Sequence, residues 1–255
     1  MSDIKGRYLW LDLITTDLEA ARAFYQAVVG FKLVPHNPEY MMFAGANGPI
    51  GGSMLLSDAA KAMGAPPHWL AYIGTPDVDA TAEQVKALGG TVYVPPFTMG
   101  DVGRISIVAD PQGAVFGVYC PASASTTDHD VEPTGVGEMV WSELMTADYE
   151  AGWSFYQKVF GWTHAGSMES PAGPYHMFTA GKRHSMGGMM TKPAGMPVSA
   201  WGYYFHVANL TESIEAVKSM GGQVVHGPMQ VPGGAHVVQC IDPQGAFFAL
   251  HALGA

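Results

Sequence analysis

The sequence predicts an α+β protein of two tandem modules, and three observations predict it. A stretch that opens a helix occurs twice. Trp10-Leu11-Asp12-Leu13-Ile14-Thr15-Thr16-Asp17, leading to Phe24-Tyr25 and Gly30-Phe31, returns 131 residues on as Trp141 through Asp148, leading to Phe155-Tyr156 and Gly161-Trp162. Later landmarks return at 132: Gly89-Gly90 as Gly221-Gly222, and Asp110-Pro111-Gln112-Gly113 as Asp242-Pro243-Gln244-Gly245. Such a period far exceeds the roughly 20–50 residues of a solenoid, so each copy is long enough for its own core. Finally, each copy divides into two half-sized units with the order strand, helix, three strands.

Residues 8–15 alternate as a strand, with Trp10, Asp12 and Ile14 on one face and Leu11 and Leu13 on the other. Thr16 or Asp17 caps a helix whose apolar face is Leu18, Ala21, Phe24, Tyr25 and Val28, and Gly30 stops it. Strands follow near 31–35, 39–44 and 50–56, punctuated by Asn37-Pro38 and the glycines from 45 to 48. After a loop at 57–67, Trp69 to Ile73 is a strand. Asp77 or Asp79 starts the next helix, which runs to Gly89-Gly90, and strands fit 91–94, 104–109 and 114–119. The second module repeats this, with strand 139–145, helix 148–159, strand 201–207, helix 210–220 and strands near 223–225, 236–241 and 246–251. Each Asp-Pro-Gln-Gly block reads as a turn between two apolar strands. Domains are expected at 1–122 and 135–255, joined by a Ser-, Thr-, Asp- and Pro-rich linker at 123–134.

Composition narrows the function classes. Net charge is −10, from 12 basic and 22 acidic residues; Arg22, Lys32, Lys61 and Lys86 are dispersed, and Lys182-Arg183-His184 is short. Nucleic acid is not an expected partner. No apolar run approaches the roughly 18 residues of a membrane span, and no long apolar run opens the chain, so the cytoplasm is the expected location. Cys120 and Cys240 sit in apolar strands and read as reduced core thiols, with a disulfide the alternative. Met186, Met189 and Met190 read as core packing or a soft apolar pocket. The Gly-Gly pairs follow helices, so they are helix stops and not phosphate cradles.

These landmarks resemble the vicinal oxygen chelate superfamily, which contains glyoxalase I, extradiol dioxygenases and bleomycin-resistance proteins. The resemblance rests on Asp17 before the Phe24-Tyr25 helix and Gly30, the Asp77-Val78-Asp79 helix start with Gly89-Gly90, and the Asp110-Pro111-Gln112-Gly113 turn before Phe116. It rests equally on their second copies at Asp148, Phe155-Tyr156, Gly161, Asn209, Gly221-Gly222 and Asp242 to Gly245. It implies two paired βαβββ units per domain, forming a curved mixed sheet around a cavity. It also implies a divalent metal, held by side chains at fixed strand positions. Those positions map to Trp10, Leu70 and Gly117, and to Trp141, Gly202 and Ala249. Indole, aliphatic and glycine residues offer such an ion no carboxylate or imidazole. No cofactor is therefore expected; a divalent metal at shifted positions, near His68, Asp12 or Glu143, is the alternative.

What remains on the cavity face is an acid beside an aromatic. Asp12 shares a face with Trp10, and Glu143 with Trp141. Two readings stay open for each acid: a carboxylate satisfied by a backbone amide or an Arg such as Arg104, or one that holds a ligand or acts as a base. Tyr204 and His206 share the face of Gly202; their counterparts are Tyr72 and Gly74. His206 is a ligand-binding or proton-transfer group, a hydrogen-bonded structural histidine, or solvated. Candidate ligand-binding residues are thus Trp10, Asp12, Tyr72, Trp141, Glu143, Tyr204 and His206, and candidate catalytic residues Asp12, Glu143 and His206. The expected function is binding of a small organic molecule in a metal-free cavity by a monomer or homodimer. The alternative is an enzyme of lyase, isomerase, dioxygenase or hydroxylase type. The second domain is expected to hold the better pocket, because only it has the imidazole.

Overall fold

Helix caps and turns put the elements close to their expected places. The computed structural model describes residues 4–37, 39–123, 132–170, 173–181 and 185–254. The first module runs β1 (Tyr8–Thr15), α1 (Leu18–Val29), β2 (Lys32–Pro35), β3 (Met41–Gly45), β4 (Gly48–Leu55), α2 (Asp58–Ala62), β5 (His68–Gly74), α3 (Val78–Ala87), β6 (Thr91–Met99), β7 (Gly103–Ala109) and β8 (Val115–Pro121). The second runs β9 (Met139–Thr146), α4 (Tyr149–Phe160), β10 (Thr163–Ser170), β11 (Gly173–Thr179), β12 (Gly187–Thr191), β13 (Ala200–His206), α5 (Leu210–Ser219), β14 (Gln223–Gln230), β15 (Ala235–Ile241) and β16 (Phe247–Leu253). Asp17 and Asp148 cap α1 and α4, accepting from the N–H of Ala20 and Ala151. Gly30 and Gly161 end them at φ 84° and 73°, a left-handed turn that only glycine adopts cheaply.

Two differences from the sequence reading have local causes. The expected loop at 57–67 contains α2, because the Ser57 side chain accepts from the Ala60 N–H and caps a short turn. Strands β6 and β14 run further than expected. Pro95-Pro96 and Pro228 interrupt the hydrogen-bond ladder without ending it, and the register shifts twice in each pairing. Of the expected linker, residues 124–131 lie outside the described residues, as does Lys182-Arg183-His184. Among the described residues no helix is long and apolar enough to cross a membrane.

Each module forms one eight-stranded mixed sheet, ordered β2-β3-β4-β1-β5-β8-β7-β6 in the first and β10-β11-β12-β9-β13-β16-β15-β14 in the second. Strand β1 pairs parallel with β4, and β5 with β8; β9 with β12 and β13 with β16 repeat this. Compactness crosses the repeat. One compact unit gathers α3 and β6–β8 with α4 and β10–β12, and the other gathers α1 and β2–β4 with α5 and β14–β16.

The core of each unit is aromatic and closes on a buried carboxylate. In one, the Tyr25 hydroxyl donates to Asp242 Oδ2 at 3.1 Å and accepts from Trp69 Nε1 at 2.9 Å. In the other, the Tyr156 hydroxyl donates to Asp110 Oδ2 at 3.0 Å and accepts from Trp201 Nε1 at 2.9 Å. Both carboxylates also close their turns: Asp110 Oδ1 accepts from the N–H of Gln112 and Ala114, and Asp242 Oδ1 from Gln244 and Ala246. Burial pushes both carboxyls above the usual range, against the pull of these donors. The Asp-Pro-Gln-Gly block is therefore more than a turn: its acid anchors the Phe-Tyr helix of the other module. Met186, Met189 and Met190 are core residues. Both cysteines are free thiols, and burial pushes that of Cys240 up to about 12.

Candidate functional site

The acid of β1 lies under a tyrosine that the sequence reading did not single out. Asp12 is register partner to Gly52 on β4. Tyr40 reaches over that glycine: a Cβ placed on Gly52 would fall 2.2 Å from Tyr40 Cζ and Oη. The Asn37 side chain accepts from the backbone N–H of Glu39 and Tyr40 and so fixes where the ring starts. The Tyr40 hydroxyl then donates to Asp12 Oδ1 at 2.5 Å. That distance is at the short end of the usual O–H···O range. Asp12 is buried, at 5% exposure.

The same construction recurs in the other compact unit. Glu143 is register partner to Gly188, and a Cβ there would meet the Tyr175 ring at 2.1 Å. Here the phenol oxygen accepts from Trp141 Nε1 at 2.7 Å. The repeat carries a visible signal for both tyrosines: Tyr40-Met41-Met42-Phe43 before Gly51-Gly52 matches Tyr175-His176-Met177-Phe178 before Gly187-Gly188.

On β5 and β8 a third ring covers a third glycine. Tyr72 is register partner to Gly117, whose Cβ would lie 2.3 Å from Tyr72 Cδ1. Tyr119 stands edge-on to Tyr72 at 6.5 Å, its hydroxyl donating to the Val102 carbonyl at 3.0 Å. The corresponding pair in the second module is Tyr204 and Ala249, with Gln239 Nε2 donating to the Tyr204 hydroxyl at 2.9 Å. One step further along, His206 and His251 are register partners with Nδ1 atoms 3.1 Å apart. Burial, and then the neighbouring His206, lower the pKa of His251. The sequence reading found His206 but missed His251, although it lies two residues beyond Ala249 and so on its face.

Other expected contacts resolve differently. Arg104 does not reach Asp12; it clasps Asp79, with its Nε and Nη2 at 2.5 and 2.6 Å from the two carboxylate oxygens. His68 is tied to the Pro66 carbonyl through Nδ1 at 2.7 Å, and burial lowers its pKa. Trp10 is half-buried on the Asp12 side of β1.

The positions where the superfamily's metal is expected do not fit one. Trp10, Leu70, Gly117, Trp141, Gly202 and Ala249 offer no donor side chain, and the two glycines have no room for one. The Tyr72 ring occupies the space over Gly117, and the Phe247 ring would lie 2.7 Å from a Cβ on Gly202. Among the described residues no group of three or more His, Cys, Asp or Glu is placed to hold a metal ion.

Comparisons with known proteins agree with this frame. The chain matches the family described as Glyoxalase/Bleomycin resistance protein/Dioxygenase superfamily over residues 7–118 and 138–250. It is 34% identical over 251 residues to the Mycobacterium tuberculosis protein named "Putative glyoxylase CFP32", covering 96% of this chain and 94% of that one. It is 26% identical over 269 residues to the anthracycline biosynthesis protein DauV of Streptomyces sp. strain C5, covering 96% of this chain and 92% of that one. Among solved structures, the Mn(II)-bound glyoxalase from Novosphingobium aromaticivorans superposes with a TM-score of 0.66 at 14% identity, over 98% of this chain and 83% of that one. At that identity the likeness carries the fold alone. With both halves matched, the chain belongs to the glyoxalase/bleomycin resistance protein/dioxygenase superfamily.

Proposed function

We propose that this protein binds a small organic molecule in a cavity of each curved sheet, without the superfamily's metal. The candidate ligand-binding residues are Trp10, Asp12 and Tyr72 in the first domain, at 1–122, and Trp141, Glu143, Tyr204 and His206 in the second, at 135–255. Tyr40 and Tyr175 join them. The observation that carries this reading is the tyrosine laid on a glycine beside the β1 or β9 acid in both modules. Aromatic surface with a few convergent polar groups is the usual form of a small-molecule site. The ring over Gly117 supports the metal-free part, since an added ligand side chain there would displace Tyr72.

A second reading has one observation in its favour. The Nδ1 atoms of His206 and His251 lie 3.1 Å apart, within reach for passing a proton, which suits catalysis through His206, Asp12 or Glu143, or through a displaced metal. The test separates metal-free binding by these acids from a metal-dependent site. A ligand found by thermal-shift screening is titrated into chelator-treated wild type, Asp12→Asn and Glu143→Gln. Binding persists after chelation and weakens by about 1.5–3 kcal/mol where a charged hydrogen bond to the ligand is lost. Loss of binding on chelation, or unchanged dissociation constants in both variants, would sink the reading.

A further inference from the structure

The second module has an imidazole pair where the first has none. His206 ends β13, and its register partner on the parallel strand β16 is His251. The equivalent partners in the first module are Gly74 and Tyr119. The two imidazoles converge, with ring centroids 5.3 Å apart, a tilt of 55° and Nδ1 atoms at 3.1 Å. Two neutral rings can fill that gap with one shared proton, one ring donating from Nδ1 and the other accepting there. A metal ion fits the same gap. With bonds of ~2.0–2.1 Å, two nitrogens at that separation subtend about 95–100° at the metal, between square-planar and tetrahedral angles.

We propose that His206 and His251 form a two-imidazole site for a late first-row divalent ion such as zinc, away from the six positions where the superfamily's metal is expected. Imidazole nitrogen suits zinc, copper or nickel, and not magnesium or calcium, which take oxygen. The backbones of both ligands are pinned. The His206 N–H donates to the Glu138 carbonyl at 2.9 Å, the His206 carbonyl accepts from the Gly137 N–H at 2.8 Å, and the His251 carbonyl accepts from the Val207 N–H at 2.8 Å. Holding the ion therefore needs little ordering beyond the rings. The Glu138 carboxylate is already engaged by the Asn47 side chain and the Gly135 N–H. No third His, Cys, Asp or Glu completes the group among the described residues. The remaining coordination positions go to water or to an added ligand, the arrangement of an open metal site. Metal binding from the neutral pair releases no proton: the Nδ1 proton of the donor ring moves to its Nε2, and both Nδ1 lone pairs face the ion.

The site shares His206 with the organic-ligand reading but does not need that reading to hold, and its test uses metal alone. The full chain, tag removed and stripped with EDTA, is titrated with Co²⁺ followed by its visible absorption, and with Zn²⁺ by calorimetry. One equivalent per chain is expected. Affinity should fall in His206→Ala and in His251→Ala by more than the roughly 10–100-fold lost when an outer-shell partner is removed. It should stand unchanged in His164→Ala/His176→Ala, whose rings lie 6.0 Å apart in the other compact unit. His206→Gly/His251→Tyr installs the first module's own pair and should abolish binding in a chain with wild-type circular dichroism. If the single variants do not fold, ¹⁵N shifts of the histidine rings in wild type decide: zinc must move both Nδ1 resonances. No Co²⁺ or Zn²⁺ binding by wild type, binding that survives both single substitutions, or Nδ1 shifts that ignore zinc would each overturn the proposal.

Discussion

The first module sets Gly74 and Tyr119 side by side where the second sets His206 and His251. It lays Tyr72 flat over Gly117, where the second has Ala249 and a tyrosine bonded to Gln239. Against these differences the frames are alike to the residue: an aspartate cap and a left-handed glycine on each first helix, and one buried Trp–Tyr–Asp chain per compact unit. The frame is constrained because its polar groups are buried and each needs its partner. The strand faces also bury polar groups, Asp12, Glu143 and His206 among them, but the residues around them differ between the copies.

The strongest way to break the likeness of frames is to cut the two tyrosine chains separately. Tyr25→Phe strips Asp242 Oδ2 and Trp69 Nε1 of the same partner, and Tyr156→Phe does this to Asp110 and Trp201. At about 1–3 kcal/mol for each of the two buried groups abandoned, either change should cost about 2–6 kcal/mol in urea unfolding. Equal costs would support equivalent frames. A copy that loses less than about 0.5 kcal/mol would break the equivalence, since surface-like tolerance is foreign to a fully buried tyrosine.

A smaller effect sharpens the divergence of the sites. Gly117→Ala drives a methyl into the Tyr72 ring at 2.3 Å and should cost about 1–3 kcal/mol by overpacking. Its counterpart Ala249 already carries that methyl, fully buried on β16. Ala249→Gly should therefore fail to improve stability and instead cost about 1 kcal/mol through backbone entropy and a lost buried methyl. Thermal melts of the two single variants decide it. A Gly117→Ala chain as stable as wild type would mean that Tyr72 is free to leave the glycine.

Strands, helices and their order were legible because alternation, caps and glycine stops are local signals. Asp17 and Asp148 announce their helices within three residues of the amides they cap. The acid of Asp-Pro-Gln-Gly was legible only as a turn residue. Its second partner, Tyr25 for Asp242, lies 217 positions away, and no spacing rule reaches that far. The site was half legible for a related reason. Trp10, Asp12, Trp141 and Glu143 follow from strand parity, but Tyr40 precedes β3 and reaches Asp12 by folding over Gly52. Only the shared Tyr-x-Met-Phe and Gly-Gly landmarks of the two copies could have flagged it. His251 needed only the parity argument already used for His206, carried to the neighbouring strand.

The smallest expected effect is a drift of stability with pH that both frames should share. Asp110 and Asp242 carry carboxyls held above the ordinary 3.8 by burial, which outweighs the backbone amides and the tyrosine hydroxyl that stabilise the charged form. A carboxyl raised in the folded state binds its proton more tightly there than in the unfolded chain. Its contribution to stability is therefore complete below the unfolded value and is lost as pH rises through the folded one. In Asp110→Asn or Asp242→Asn the side chain does not titrate, so the term vanishes. The difference in Tm, wild type minus variant, should decline as pH climbs from below 4 toward neutrality, with the same sign in both copies. Adding Tyr25→Phe should extend the decline in the Asp242 comparison to higher pH. It removes a donor that pulls the Asp242 carboxyl down, and so leaves burial less opposed. A difference that instead grows with pH in either copy would mean that the amides of the turn outweigh burial there. The two Asp-Pro-Gln-Gly turns would then hold their acids in different charge states, and the equivalence of the frames would end at those two residues.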